Sequence, residues 1–317
     1  MKQMTQTTGP GDGLPFRVSL EAVNKGVGLV ALGLPFVLLA VTWLGNTCPD
    51  IDSISHYYYS RLGGDILVGS LCFIGVLLLF FYRAPVAVDG YLGHHPRDIW
   101  LARLAGLAAF GVALVPTAGS GCEDFAGNTV RLFLTGAAGK DGLDLPAARE
   151  IILSADPDKI ADLVAALEPA RVGFDFWSTL GISGGMLTFI HYGSALVMFL
   201  VLAYFAYVVF PRPQTVAAQA RAHQDDPRKR RRNLLYKTCG ILILVAIGAL
   251  GAKFLFLGED SPALATWNRY DLTFWFEALG LVAFGVSWSI KGRIFEFLRD
   301  TDEPMQSRKG YQVFRTA

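Results

Sequence analysis

Residues 48–83 read CPDIDSISHYYYSRLGGDILVGSLCFIGVLLLFFYR, and this stretch decides the fold. Its first half, as far as Asp65, is crowded with hydroxyl, carboxyl, imidazole and phenol groups. Its second half, Ile66 to Tyr82, is continuously apolar. A helix rises about 1.5 Å per residue, so about 20 apolar residues cross the hydrocarbon core of a bilayer. The stretch therefore predicts a transmembrane helix with a dense polar cluster at its N-terminal end.

Composition extends this membrane character to the whole chain. Only 17% of the 317 residues are charged and the mean hydropathy is +0.39, whereas a soluble domain carries about 25% charged residues. An integral membrane protein is therefore predicted. The net charge of +1 gives no general attraction to nucleic acid, and no nucleic-acid partner is expected.

Six apolar segments along the chain are each close to the length that a bilayer requires. They are uninterrupted rather than alternating, which favours helices over a barrel. The predicted fold is an all-α integral membrane protein, a six-transmembrane-helix bundle whose outer loop region contains short amphipathic helices. The predicted spans are about 26–44, 65–82, 99–116, 181–210, 238–257 and 272–290.

Lysine and arginine in the short loops predict the orientation, because cytoplasmic loops carry an excess of both. The link 211–237 is strongly basic, above all in Arg228–Arg232, and so is the C-terminal tail. Both termini are therefore expected in the cytoplasm, in a bacterial inner (plasma) membrane. The predicted parts are a flexible cytoplasmic tail at 1–25, a six-helix transmembrane domain at 26–292 and a cytoplasmic tail at 293–317.

A long extracytoplasmic insertion is predicted at 117–180. Pro146 and Pro157 suit the first turn of a helix. Apolar residues then recur at helical spacing, at positions Ile160, Leu163, Val164 and Leu167. Two short amphipathic helices are expected there, on the outer membrane surface or over the bundle.

Four of the ionisable residues within or at the ends of the predicted spans are candidates for a site: Asp65, His191, Lys253 and Glu277. A charge at the centre of a membrane helix costs roughly 2.5–3.5 kcal/mol on insertion scales, so each of them needs a reason. With both termini inside, all four lie in the outer half of the membrane. They could line one outward-facing polar pocket.

Thr188, His191 and Ser194 share one face of the fourth span, because residues three apart are neighbours on a helix. Combined with the polar stretch before the second span, they define the predicted pocket. Its candidate residues are Ser53, Ser55, His56, Tyr57, Tyr58, Asp65, Thr188, His191, Ser194, Lys253 and Glu277.

Several of these candidate residues also have a purely structural interpretation. Lys253 and Glu277 lie at similar depth on consecutive helices and could neutralise each other as an ion pair. His191 could be an interhelical hydrogen-bonding residue, and Asp65 could be a helix N-cap. The tyrosines at 57–59 could form an interfacial aromatic belt.

A metal site is not predicted, because no HxxxH or HExxH motif occurs. Ligand-capable side chains in the outer region include His56, Asp65, Glu123, Asp124, His191 and Glu277, and His56, Asp65, His191 and Glu277 are the weak candidates. A Ser-His-Asp set can be drawn from Ser53 or Ser55 with His191 and Asp65, but no nucleophile-elbow motif accompanies it. The sequence indicates no particular cofactor.

Cys48 and Cys122 both lie on the predicted outer side, where oxidation is possible. A disulfide between them would tie the polar stretch to the long insertion. Cys72 and Cys239 are expected to be apolar fillers within or beside spans.

Three segments resemble an uncharacterised group of bacterial six-span membrane proteins with a SISxYYxT…RDxFVG-type motif. They are Ser53–Ser60 followed by Gly64–Gly69, then Ile190–Ala195, which resembles the group's IHxxSA, and Phe274–Ala278, which resembles its FWxEx. Gly64 stands where the motif has Arg. In topology the chain is similar to the DUF998 and Frag1/DRAM/Sfk1 proteins. A more distant likeness, to the CREST hydrolases, implies a three-histidine zinc site, and the paired-histidine helix of those enzymes is not in this sequence.

The sequence therefore predicts an inner-membrane protein whose outer polar pocket binds or senses a lipid head group or a small amphiphile. The first alternative is a membrane-embedded lipid hydrolase, with or without a metal. The second is a small-molecule or proton-coupled transporter. Membrane lipids are the expected partners, and a homo-oligomer is compatible with the sequence.

Overall fold

The computed structural model describes residues 20–45, 53–82, 94–115, 184–213, 219–220, 226–258 and 261–298. Every regular element within these ranges is helical, so the all-α prediction is confirmed there. The predicted disulfide Cys48–Cys122, both tails before 20 and after 298, and the amphipathic helices of the insertion lie outside the described residues.

Long helices cover the predicted spans, with some shifts at their ends. The helices Arg61–Val76 and Gly184–Tyr204 each continue into a short π-helical turn, at Leu77–Phe81 and Phe205–Val209. Short 3-10 helices occupy Ile54–Tyr59 and Glu296–Leu298. The α-helices are α1 Leu20–Gly45, α2 Arg61–Val76, α3 Pro96–Leu114, α4 Gly184–Tyr204, α5 Pro227–Phe256, α6 Pro262–Arg269 and α7 Leu272–Lys291.

Helix α5 begins well before the predicted start at 238, because the basic link folds as its first turns. The Asp226 carboxylate accepts a hydrogen bond from the Arg228 amide at 2.9 Å, and Pro227 occupies the first turn. An Asp cap followed by Pro is a strong helix start. Arginine and lysine have good helix propensity, so Arg228–Arg232 continue the helix.

The long helices form a closed ring in chain order. Each of α1 to α4 packs against the next, α5 packs against α7, and α7 returns to α1. The α1–α7 contact is very close: a methyl group added at Gly285 would collide with the Leu32 amide nitrogen. Only glycine permits backbones this near, so the ring closes where one helix has no side chain.

Among the described residues, five helices are long and apolar enough to cross a membrane: Leu20–Leu44, Leu62–Phe81, Met186–Val209, Pro227–Phe256 and Leu272–Lys291. The bundle is therefore that of a multi-pass membrane protein. Helix α3 is not among the five, because Arg97, Asp98 and Arg103 raise its polarity. Large apolar side chains cover the outside of the bundle, with Phe189 77% exposed, as suits a surface in contact with lipid.

The two ends of the bundle differ in chemistry. The end formed by residues 53–60, the start of α7 and the end of α5 is called here the motif end. The opposite end, where α5 begins in Arg228–Arg232, is called the basic end. Chain direction alternates around the ring, so α3 ends and α4 begins at the motif end.

A polar clasp joins α3 to the end of α4 at the basic end. Asp98 is 1% exposed, and its Oδ2 accepts from Arg212 Nη1 at 2.8 Å while its Oδ1 accepts from the Tyr204 hydroxyl at 2.9 Å. Nearby, the Tyr82 hydroxyl donates to Asn24 at 2.7 Å, which links α2 to α1. Buried polar groups need such partners, so these contacts fix the register of four helices.

Replacing Asp98 by Asn should therefore destabilise the bundle by on the order of 3 kcal/mol, since it leaves the partly buried Arg212 uncompensated. The double variant Asp98→Asn/Arg212→Met should recover part of the loss. Arg97 is the matched control: its Nε is 3.7 Å from Asp98, but its side chain is 69% exposed. Arg97→Gln should cost less than about 1 kcal/mol. The free energy of unfolding in detergent is measured for the three variants. Equal losses of stability for Asp98→Asn and Arg97→Gln would contradict the clasp.

Candidate functional site

The Glu277 carboxyl group forms the centre of a hydrogen-bond network at the motif end. Ser53 Oγ donates to it, at 2.9 Å from Oε2 and 3.1 Å from Oε1, and the Ile54 amide donates to Oε2. Ser55 Oγ lies 3.5 Å from Oε1. One side chain of α7 thus binds three consecutive residues that stand more than 200 positions earlier in the chain.

Local sequence explains why residues 53–59 can present these donors. The Ser53 side chain accepts from the Ser55 amide and caps the 3-10 helix Ile54–Tyr59. The first amides of a helix lack internal partners, so the Ile54 amide is available to Glu277. Ile54 and Tyr57 are buried against the bundle, which anchors the segment. The Tyr57 hydroxyl is 2.6 Å from Thr42 Oγ1 of α1, and burial raises the pKa of this phenol.

Gly64 lets the 3-10 helix lie directly on α2. A methyl group built at Gly64 would lie 2.7 Å from the Tyr58 carbonyl oxygen. Backbone atoms cannot yield as a flexible side chain can, so any larger residue would push the segment away from Glu277. This packing is the physical reason why a glycine fits at 64, where the resembling motif has Arg.

His191 of α4 joins the network through Ser55. Its Nδ1 is 2.7 Å from the Val115 carbonyl oxygen at the end of α3, and its Nε2 is 3.0 Å from Ser55 Oγ. A carbonyl oxygen only accepts, so Nδ1 carries the proton, and in the neutral imidazole Nε2 then accepts from the serine hydroxyl. His191 is 3% exposed. Ser55 is half-buried, between His191 and Glu277.

The remaining predicted pocket residues differ in exposure and in what they face. Asp65 is an exposed residue of α2 and not its N-cap, which is Ser60. Ser194 faces α3, where a methyl group at Gly111 would approach its Oγ, so it serves helix packing. Thr188 and Tyr58 are half-buried. His56 is close enough to act electrostatically on Glu277 and His191.

Lys253 and Glu277, for which an ion pair was one interpretation, have different hydrogen-bond partners. Lys253 Nζ donates to the Thr273 hydroxyl at 2.7 Å, and Trp267 Nε1 donates to the same oxygen at 2.9 Å. Thr273 lies one turn before Glu277 on α7, so Lys253 of α5 contacts α7 one turn nearer its start than Glu277. Glu277 finds its donors on residues 53–55 instead, which sequence depth alone could not reveal.

Within the described ranges, no group of three or more His, Cys, Asp or Glu residues is placed to share a metal ion. The ligand-capable candidates were His56, Asp65, His191 and Glu277. Both nitrogens of His191 are engaged by Val115 and Ser55. This part of the structure therefore gives no support to a three-histidine zinc site.

Sequence reasoning missed several residues that complete the site. Val115 acts through a backbone carbonyl, Ile54 through an amide, and Thr42 through an ordinary hydroxyl. None carries a sequence signal for such a role. The clasp of Asp98 and Arg212 was also missed, although charges beside two predicted spans were a usable signal.

His94 lies beside this clasp, at the basic end. Its Nε2 is buried and has no hydrogen-bond partner among the described residues, and its ring is 5.7 Å from that of Tyr82. Burial lowers the pKa of His94 to about 4, and the positive charge of Lys291 adds to the shift. The imidazole is therefore neutral at pH 7.

The fold and site define a multi-pass α-helical membrane protein with a buried Glu–Ser–His network at one end. No family model matches the chain, and neither curated proteins nor solved structures give a match. The resemblance to six-span bacterial membrane proteins therefore stays a prediction.

Because Lys253 and Glu277 share no hydrogen-bond partner, the effects of replacing them should add. Glu277→Gln should cost about 1–3 kcal/mol, since it leaves donors on residues 53–55 poorly satisfied, and Lys253→Met about 1 kcal/mol. The double variant should equal the sum to within about 0.5 kcal/mol. Unfolding of the three variants in detergent measures this, and a coupling above about 1 kcal/mol would show that the two residues interact.

Proposed function

We propose that α3 crosses the membrane with the other five helices, giving six spans with the basic end in the cytoplasm. The support is geometric, because α3 packs between α2 and α4, both of them apolar and long. Its charged residues cluster at the basic end, where Asp98 is paired inside the clasp. The basic residues Arg228–Arg232 orient the same end toward the cytoplasm by the positive-inside rule.

This topology predicts the labelling of single cysteines by an impermeant thiol reagent. In a variant without the four native cysteines, a cysteine at Gly139 should react from outside the cell and a cysteine at Gln224 only after lysis. The first position probes the insertion and the second probes the basic link. Labelling of Gln224 in intact cells would exclude this orientation.

We propose further that the motif end binds the polar head group of a lipid or small amphiphile. The observation that carries this is the half-buried Ser55 hydroxyl, held 3.0 Å from His191 Nε2 and 3.5 Å from a Glu277 oxygen. The Ser53 hydroxyl, by contrast, is 5% exposed and bound by Glu277. Ser55 is thus the member of this network that a ligand reaches first.

The network is richer in polar groups than the anchoring of one segment requires. Ile54 and Tyr57 already anchor residues 54–59 by apolar burial. A carboxyl group and an imidazole at membrane depth cost free energy, and such groups usually mark functional sites. Sites of this kind lie where elements from distant parts of the chain converge, and here α3, α4, α7 and residues 53–59 meet.

The chemistry of the site favours a ligand that donates hydrogen bonds. Glu277 and His191 Nε2 both present acceptors toward Ser55. The single Ser55 proton serves one of these acceptors at a time, so an incoming ammonium or hydroxyl group can donate both to the Ser55 oxygen and to the remaining acceptor. A quaternary ammonium group has no N–H and cannot. The expected ligands are therefore amphiphiles with a primary amine or hydroxyl head group.

Phosphatidylethanolamine and phosphatidylcholine with the same acyl chains provide a matched pair of probes, since the head-group nitrogen carries three hydrogens in the first and three methyl groups in the second. Native mass spectrometry of the protein with an equal mixture should show about tenfold preference for the ethanolamine lipid, the value of one hydrogen bond to a charged group. Ser55→Ala and His191→Gln should each remove most of the preference.

The control is Thr266→Ala, which deletes a hydroxyl of α6 that donates only to the Pro262 carbonyl. This variant should keep the preference of the wild type. Equal retention of both lipids by the wild type would contradict recognition of a donor head group. The same would follow if Thr266→Ala and Ser55→Ala lost the preference to an equal degree.

One geometric feature favours a second candidate, a serine hydrolase acting on lipid esters. Ser55, His191 and the Val115 carbonyl are arranged as nucleophile, general base and orienting acceptor. Ser55 Oγ would bond to the ester carbonyl carbon while its proton passes to His191 Nε2. That proton then goes to the leaving alcohol as its C–O bond breaks, and water hydrolyses the acyl-serine.

A fluorophosphonate probe tests this second candidate, because it forms a P–O bond with an activated serine and releases fluoride. A hydrolase should be labelled at Ser55, with loss of labelling in Ser55→Ala and His191→Gln and full labelling in Thr266→Ala. An unlabelled Ser55 in the folded protein would exclude the hydrolase and leave the binding proposal unaffected.

A further inference from the structure

A groove at the basic end combines two arginines with an apolar wall. It has a volume of about 350 Å³ and lies between the first turns of α5 and the 3-10 helix Glu296–Leu298. Its lining residues are Arg228, Arg231, Leu234, Leu235, Phe297 and Leu298. Several of these apolar side chains are unusually open: Phe297 is 70% exposed and Leu234 65%.

Helical spacing orders these groups along one face of α5. Arg228, Arg231 and Leu235 follow one another at i, i+3 and i+7, so they lie nearly in line. The arginines are nearer the start of α5, and the leucines come about one turn later, toward the apolar part of the span. The groove is therefore cationic at the edge nearest the start of α5 and apolar toward the membrane interior.

The opposite wall of the groove is held in place. Arg232 Nη1 donates to the Leu298 carbonyl at 3.3 Å, which fixes the 3-10 helix beside α5. Leu298 itself is 5% exposed and packs into the core, whereas its neighbour Phe297 projects outward. Neither Arg228 nor Arg231 forms an ion pair with a carboxylate of the described ranges, and both are exposed.

We propose that this groove binds an anionic phospholipid of the adjoining leaflet, with the phosphate at Arg228 and Arg231 and an acyl chain along Leu234 and Phe297. A guanidinium pairs with phosphate oxygens through two parallel N–H bonds. Basic clusters directly beside a transmembrane helix attract anionic lipids. The order of charge and apolar surface along the groove matches the order of head group and chain in a lipid.

The position of the groove favours a lipid over a protein partner. Its apolar wall continues into the lipid-facing surface of α5, where Leu234, Ile241 and Leu244 are exposed. A molecule seated there is already in the bilayer, so its apolar part needs no transfer from water. This site lies at the opposite end of the bundle from Ser55 and does not depend on the function proposed for the motif end.

The test is retention of lipid in native mass spectrometry with equal amounts of phosphatidylglycerol and phosphatidylcholine of the same acyl chains, in a buffer of physiological ionic strength. The wild type should retain the glycerol lipid preferentially. Arg228→Gln/Arg231→Gln should reduce retention of the glycerol lipid by roughly 30-fold, because each basic residue at a membrane surface contributes about fivefold. Arg228→Lys/Arg231→Lys keeps both charges but lacks the guanidinium fork. Its retention of the glycerol lipid should therefore lie between that of the wild type and that of the double glutamine variant.

The matched control is Lys229→Gln/Arg230→Gln, which removes the same charge from the other faces of α5. At this ionic strength charges act over about 8 Å, so the control should lose no more than about threefold. Phe297→Ser leaves the charge unchanged and should also weaken retention. Equal losses in the two double glutamine variants, or no preference in the wild type, would overturn the proposal.

Discussion

The hydrogen bonds between Glu277 and residues 53–55 determine how the motif end is built. They connect the last long helix to the segment between the first two, across the place where α7 closes the ring on α1. A carboxyl group facing lipid would have no partners, because the bilayer core supplies neither water nor donors. Glu277 is therefore tolerated only with this segment folded over it, and the segment is held in one conformation by the same contacts.

This arrangement brings Ser55 to His191. The 3-10 helix places Ser55 two residues after its cap, Ser53, and the Val115 carbonyl orients the imidazole from α3. The geometry of the pair thus depends on three separate supports: the cap, the carboxyl group of Glu277 and the end of α3. Supporting shells of this kind are what hold a functional group in a defined position.

Polar groups have different partners at the two ends of the bundle. At the motif end, acceptors predominate around a half-buried hydroxyl. At the basic end, Asp98 is neutralised by Arg212 in a closed clasp, while Arg228 and Arg231 face outward from α5. The two proposed ligands follow from this difference: a donor of hydrogen bonds at the motif end and an anion at the basic end.

The sequence by itself determined the class of protein, the helical character and nearly every long helix, because each span is a local property of composition and length. It also indicated Ser53, Ser55, His191 and Glu277, since polar groups beside or within apolar runs are visible without a structure. The partners of these residues were decided only by the tertiary structure. Similar depth made Lys253 a possible partner of Glu277, but depth could not show that residues 53–55 fold over α7 and supply the donors. The roles of Val115 and Ile54 lie in backbone groups that every residue carries, so no residue type could signal them.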